Sequence, residues 1–226
     1  MSYEIVDTGN AESLREGIER ARELLSEGHS IVIPTDTVYG VGCDAFSPTA
    51  VNDLLALKGR GRHMPPPVLV GSAEEVPRLV SNIPAGAQAL MDAFWPGGVT
   101  IVFRASPELT WDLGDTQGTV ALRMPDHLVA RELLVSTGPM AVSSANVTGA
   151  LPALNVDEAV AHFGDRVPLY FDGGPVGASY PDAPGNAGST IVDASALDSG
   201  GPWRVIRHGV VPEDSLRQVA RGEWET

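Results

Sequence analysis

Short apolar runs bounded by turn residues alternate along this chain with stretches of helical periodicity, and that alternation leaves few folds open. Asn10 is placed as an N-cap, with Leu14, Ile18, Ala21 and Leu25 at helical spacing and Gly28 closing the helix. Residues 30–33 read as a strand ending at Pro34. Ser47 and Pro48 open a second helix that runs to about Leu57. Further strands are expected at 68–70, 100–103, 119–122, 140–142, 169–171, 190–192 and 203–206. Helices are expected at 85–94, 126–136, 156–163 and 213–221, the first stopped by Trp95-Pro96-Gly97-Gly98. The pattern predicts an α/β (α+β-like) fold, and its many hairpin-length connections predict a mixed sheet. A length of 226 residues suits one large domain or two small ones. The Gly- and Pro-rich stretch 173–188 resembles a linker, but too little chain follows it for a second core. A single domain over residues 1–226, with 173–188 as a mobile loop, is therefore expected.

Charge narrows the function classes. The chain carries 15 Lys+Arg against 29 Asp+Glu, a formal net charge of -14 and a sequence pI of about 4.6. Broad electrostatic binding to nucleic acid is disfavoured, because that affinity comes mainly from neutralised phosphates. Against this background Lys58, Arg60 and Arg62 alternate within five residues, with His63 beside them. Such a cluster suits a compact anion such as a nucleotide phosphate. The alternative is a solvated loop loosened by Gly59 and Gly61. The one cysteine, Cys43, excludes an internal disulfide and a cysteine-only metal cage, and its small apolar neighbours read it as buried. No apolar run approaches the roughly 20 residues of a membrane span. The first ten residues lack a basic segment followed by an apolar one, so a cytoplasmic protein is expected.

No Walker-type phosphate loop, no G-x-G-x-x-G after a strand and no kinase signature set occurs. His29, His63, His127, His162 and His208 lack metal-ligand spacing, and no protein metal site is expected. Other polar groups cluster at strand ends, where an α/β fold lines its clefts. Pro34-Thr35-Asp36-Thr37-Val38-Tyr39-Gly40 follows one strand, and reads either as cleft lining or as a turn closed by its own side chains. Ser143-Ser144-Ala145-Asn146 follows another. Arg123 and Ser189 lie at further strand ends, and Arg204 and Arg207 come near the end of the last.

In order and spacing these segments resemble the YrdC-like family, the L-threonylcarbamoyladenylate synthases. The resemblance spans about residues 12–209. It rests on the 34–40 segment, Lys58-x-Arg60, Trp95-Pro96-Gly97 with Thr100, Leu122-Arg123-x-Pro125, Ser144-x-Asn146 with Gly149, residues 189–193 and Arg207-x-Gly209. It implies a twisted mixed sheet with flanking helices and a concave basic face. It implies a reaction in which L-threonine, bicarbonate and ATP give threonylcarbamoyl-AMP and pyrophosphate. A separate complex then transfers the threonylcarbamoyl group to the adenosine next to the anticodon of tRNA. Lys58 and Arg60 are implied as catalytic phosphate holders. Arg62, His63, Thr119, Ser144, Asn146 and Arg207 complete the ATP contacts. Thr35, Thr37, Tyr39, Arg123, Ser143 and Ser189 are implied for threonine, with Arg123 pairing its carboxylate. Mg²⁺ is expected on the phosphates, and the 173–188 loop as a lid. Two features depart from the family pattern. Gly71 stands where a threonine-pocket histidine usually falls, so either His63 substitutes or threonine is held without one. The chain also ends at Thr226 and so resembles the short form without an additional C-terminal domain. A non-catalytic module for double-stranded RNA or tRNA is the alternative, and weak RNA binding is left open. A carbamoyl-transfer domain would bring acylphosphatase and zinc-finger segments, which are absent.

Overall fold

A computed structural model describes residues 2–183 and 188–220. Its strands are β1 (Glu4–Asp7), β2 (Ile31–Ile33), β3 (Gly40–Asp44), β4 (Val68–Leu69), β5 (Val99–Arg104), β6 (Thr119–Arg123), β7 (Met140–Ser144), β8 (Leu169–Asp172), β9 (Thr190–Asp193) and β10 (Arg204–Arg207). Its helices are α1 (Ala11–Ser26), α2 (Pro48–Lys58), α3 (Val76–Leu79), α4 (Ala85–Phe94), α5 (Leu128–Thr137), α6 (Val156–Phe163) and α7 (Glu213–Val219). Residue 221, expected to end the last helix, lies outside the described residues.

The helix boundaries follow local chemistry. Asn10 accepts from the backbone N–H of Glu12 at 2.9 Å and of Ser13 at 3.1 Å, which caps α1. Ser47 caps α2 by accepting from Ala50 N–H at 3.3 Å. Gly59 ends α2 in the left-handed region, at φ 66°. Three elements were not expected from the sequence: β1, β3 and α3. The two glycines of β3, Gly40 and Gly42, give it little strand signal. They are there because Val142 on neighbouring β7 packs onto them: a Cβ on Gly40 or Gly42 would lie 2.6 Å from its side chain.

The strands form one ten-stranded sheet in the order β1-β8-β2-β3-β7-β4-β6-β5-β9-β10. Parallel pairs (β1 with β8, β4 with β6, β5 with β9) sit among antiparallel ones, so the sheet is mixed. One face is covered by α2, α3, α4, α6 and α7 over a large apolar cluster. The other is only half covered. There α1 and α5 pack on Val6, Ile31, Ile33, Leu69, Val142, Leu169 and Phe171, and the cluster takes no residue from β5, β6 or β9. Strand alternation explains the bare half. Val99, Ile101 and Phe103 of β5, with Val120 and Leu122 of β6, enter the large cluster. Thr100, Val102, Arg104, Thr119, Ala121 and Arg123 therefore face the side without a helix. Among the described residues no helix is long and apolar enough to cross a membrane.

Candidate functional site

A cavity of about 280 Å³ opens on that bare half, beside the edge of α5. Its walls come from six strand and helix ends. They are Thr35, Thr37 and Tyr39 between β2 and β3, Arg60 just after α2, Arg123 ending β6, Ser143 and Ser144 ending β7, Ser189 before β9, and Arg207 ending β10. All of the residues the family resemblance assigns to threonine thus meet here.

The β2–β3 connection is shaped by its own hydroxyl. Thr35 Oγ1 donates to Val38 O at 2.6 Å and accepts from the N–H of Thr37 and of Val38 at 3.2 and 3.3 Å. This turn swings Asp36 inward. The Asp36 and Arg123 side chains are 1% and 7% exposed, and Arg123 Nη2 donates to Asp36 Oδ1 at 2.5 Å. Arg123 also donates from Nε to Gly97 O at 2.9 Å and from Nη1 to Thr37 Oγ1 at 3.1 Å. A guanidinium has five N–H groups. Two remain, one on each terminal nitrogen, beside the cavity. Tyr39 Oη donates to Gly174 O at 2.8 Å and accepts from Gly173 N–H at 3.0 Å, which ties the post-β8 segment to the wall. Burial, first of all, pushes the Tyr39 phenol up to about 12, so it stays protonated.

Three positive charges converge on the cavity. Arg60 is half-buried, and its Nε has no hydrogen-bond partner among the described residues; burial holds its guanidinium below the usual range. Arg207 is largely exposed as a residue, but its head reaches inward and donates to Ser189 O at 2.7 Å and to Ser189 Oγ at 3.1 Å. Desolvation first, then the charges of Arg123 and Arg60, depress its pKa. Ser189 Oγ lies 2.6 Å from Thr100 Oγ1. Repulsion among like charges in a cavity is relieved by an anion.

Other expected residues sit elsewhere. Lys58 is not in a solvated loop, the alternative reading of the cationic run. It is the last residue of α2 and 1% exposed. Its ammonium donates to the carbonyls of Ser144 and Asn146, and to Asn146 Oδ1 at 3.1 Å. Burial, then the Arg60 charge, push its pKa down to about 7. Asn146 is equally occupied: Oδ1 accepts from Ser144 Oγ at 2.6 Å, and Nδ2 donates to Val147 O and Ala150 O at 2.9 and 2.8 Å. Neither residue lines the cavity; both stand behind its wall. Arg62 points away, its exposed head held by Asp112 at 2.7 Å, Asn52 at 3.0 Å and Asp115 at 3.6 Å. The Arg62 head is thus turned to these partners rather than into the cavity.

His63 and Thr119 line a second cleft of about 610 Å³ on the same face, with Val102, Ile191 and Ile206. The two spaces share Pro67, so they adjoin. His63 therefore does not take the place of a histidine at 71. Nor is there room at 71: a Cβ on Gly71 would lie 2.7 Å from the Val135 nitrogen of α5. Sequence reasoning missed Tyr180 and left Asp36 and His208 off the site. Asp36 had a signal, since it sits inside the 34–40 segment. Tyr180 had only its being an aromatic within the Gly- and Pro-rich stretch. Of that expected lid, 184–187 lies outside the described residues; the part before it packs on the site through Gly174, Gly177 and Tyr180.

The comparisons with known proteins agree with this fold. The profile of the Sua5/YciO/YrdC family, described as telomere recombination, matches residues 23–209. The chain is 46% identical over 216 residues to a putative threonylcarbamoyl-AMP synthase of Mycobacterium tuberculosis, covering 96% of this chain and 94% of that one. It is 35% identical to the mouse threonylcarbamoyl-AMP synthase, covering 92% of this chain and 71% of the mouse protein. Among solved structures, P. abyssi Sua5 complexed with L-threonine matches with a TM-score of 0.83 at 27% identity. That match covers 99% of this chain but only 62% of the archaeal one. E. coli YciO matches in fold, with a TM-score of 0.78 at 23% identity over 94% of this chain and 98% of YciO. With a family profile and relatives that span nearly its whole length, the chain belongs to the Sua5/YciO/YrdC family.

Proposed function

We propose that this chain joins L-threonine, bicarbonate and ATP into L-threonylcarbamoyl-AMP and pyrophosphate, for threonylcarbamoyl modification of the adenosine next to the tRNA anticodon. The observation that carries the reading is the first cavity, in which Arg60, Arg123 and Arg207 converge beside the hydroxyls of Thr37, Ser143, Ser144 and Ser189. The two uncommitted N–H groups of Arg123 suit the carboxylate of threonine as a fork. Thr35, held in its own turn, positions Thr37 rather than touching the ligand. Tyr39 closes the same pocket.

The reaction asks mainly for positioning and charge neutralisation. The threonine amine adds to the bicarbonate carbon, water leaves and a carbamate forms. A carbamate oxygen then attacks the α-phosphorus of ATP. The bond from that phosphorus to the bridging oxygen breaks, and pyrophosphate departs with the negative charge. Arg60 and Arg207 take the phosphates, helped by Ser144. Lys58 and Asn146 act from behind, by fixing the turn that carries Ser144. The second cleft takes the nucleoside, with Thr119 and His63 among its contacts. Mg²⁺ enters with ATP as part of the substrate, on the phosphate oxygens. Among the described residues no group of three or more His, Cys, Asp or Glu side chains could hold a metal ion of its own. The product passes to a tRNA threonylcarbamoyl-transfer complex in the cytoplasm. A non-catalytic RNA-binding module is the weaker reading. Curated relatives are named as synthases, and the net charge of -14 works against contact with phosphate backbones.

The test is pyrophosphate release from ATP and Mg²⁺, with L-threonine, L-serine or no amino acid, with and without bicarbonate. Release that needs both threonine and bicarbonate is expected. Threonine-independent release, or none from folded protein, overturns the proposal.

A further inference from the structure

Tyr180 belongs to none of the motifs that carry the family resemblance, yet its hydroxyl reaches the Asp36–Arg123 pair at the cavity wall. It donates to Asp36 Oδ2 at 2.8 Å. The other oxygen, Oδ1, already accepts from Arg123 Nη2 at 2.5 Å and from Asp126 N–H at 3.0 Å. Among the described residues, Tyr180 is the one donor that meets Oδ2. Its ring is seated against backbone: a Cβ on Gly98 would lie 2.9 Å from the Tyr180 oxygen. Burial first, then the Asp36 charge, raise the phenol's pKa, so it remains a donor across neutral pH.

We infer that Tyr180 is a positioning residue that sets the threonine-binding direction of Arg123 by holding Asp36. The inference rests on the synthase reading. A carboxylate bonded through both oxygens to fixed partners cannot rotate. With Oδ2 released, Asp36 can turn to meet both terminal nitrogens of Arg123. That bidentate pairing would use up one of the two N–H groups reserved for the substrate carboxylate. The effect is selective, because among the described residues Arg60 and Arg207 bond neither Tyr180 nor Asp36, and neither residue lines the second cleft.

The experiment compares wild type with Tyr180→Phe, which keeps the ring and removes the oxygen. A hydrogen bond to a charged group predicts a rise in Kd and KM for L-threonine of about 10-fold. KM for ATP stays at its wild-type value. In an Asp36→Asn background the same substitution adds little, since the carboxylate it acts through is gone. Equal threonine affinity in wild type and Tyr180→Phe overturns the inference, as does a loss shared equally by ATP or undiminished beside Asp36→Asn. Wild-type protein that binds no threonine in calorimetry overturns the synthase reading, and this inference with it.

Discussion

Two buried polar regions flank the turn after β7, and they spend their cations differently. Behind the wall, the Lys58 ammonium finds its acceptors within the fold: the carbonyls of Ser144 and Asn146, and the Asn146 side chain. Its own carbonyl accepts from Thr148 N–H at 3.1 Å and Thr148 Oγ1 at 2.7 Å, which locks the end of α2 to that turn. Inside the wall, two residues further along, Arg60 Nε has no partner among the described residues. A buried donor without an acceptor costs free energy, and a fold tolerates it where a ligand supplies the acceptor. One cation is committed to structure and the other is left for substrate, although the sequence presents them as one motif.

The largest expected effect tests the uncommitted side. Arg60→Ala should lower the rate of pyrophosphate release by about 100-fold or more, the scale for removing one donor to developing charge. Its Tm should hold, because nothing in the fold loses a partner. Near-normal turnover would remove Arg60 from the phosphates. The next effect tests the committed side. Lys58→Met keeps the stem and removes the donor shared by three buried acceptors, leaving the Asn146 carbonyl without one, so it should cost about 1–3 kcal/mol of stability, read by denaturant unfolding. If Lys58→Met unfolds like wild type and loses only ATP affinity, the division between the regions is wrong.

Why this division was illegible is physical. Features set by neighbours along the chain could be read: Asn10 and Ser47 as caps, Gly28 as a stop, and the strand ends that gather Thr37, Arg123, Ser144, Ser189 and Arg207. Features set by distant neighbours could not. Gly40 and Gly42 look like loop until Val142 of β7 is laid across them. Lys58 looks exposed until the carbonyls of Ser144 and Asn146 are brought to it. Tyr180 meets Asp36 across 144 residues of sequence. β1 gave no alternation to read, since three of its four residues are exposed at the sheet edge. Motif spacing still located the site, because it fixes which strand ends carry polar groups. It did not say which of those groups are already spoken for.

The smallest expected effect completes the comparison, because it concerns the third cation of the same run. Arg62 stands two residues beyond Arg60, and alternation alone would aim both at one ligand. The structure gives Arg62 two acidic partners instead, Asp112 and Asp115, on exposed side chains. Asp112 and Asp115 hold the Arg62 pKa above its ordinary value, and Arg62 holds that of Asp112 below the carboxylate range. Exposed pairs contribute between nothing and about 1 kcal/mol, since water screens them and ordering two side chains costs entropy. Arg62→Ala should therefore leave KM for ATP within about twofold and the unfolding midpoint unchanged. Steady-state kinetics over an ATP series decides it. A tenfold rise in KM for ATP would mean that substrate draws Arg62 away from its carboxylates, and that the cationic run acts as one unit after all.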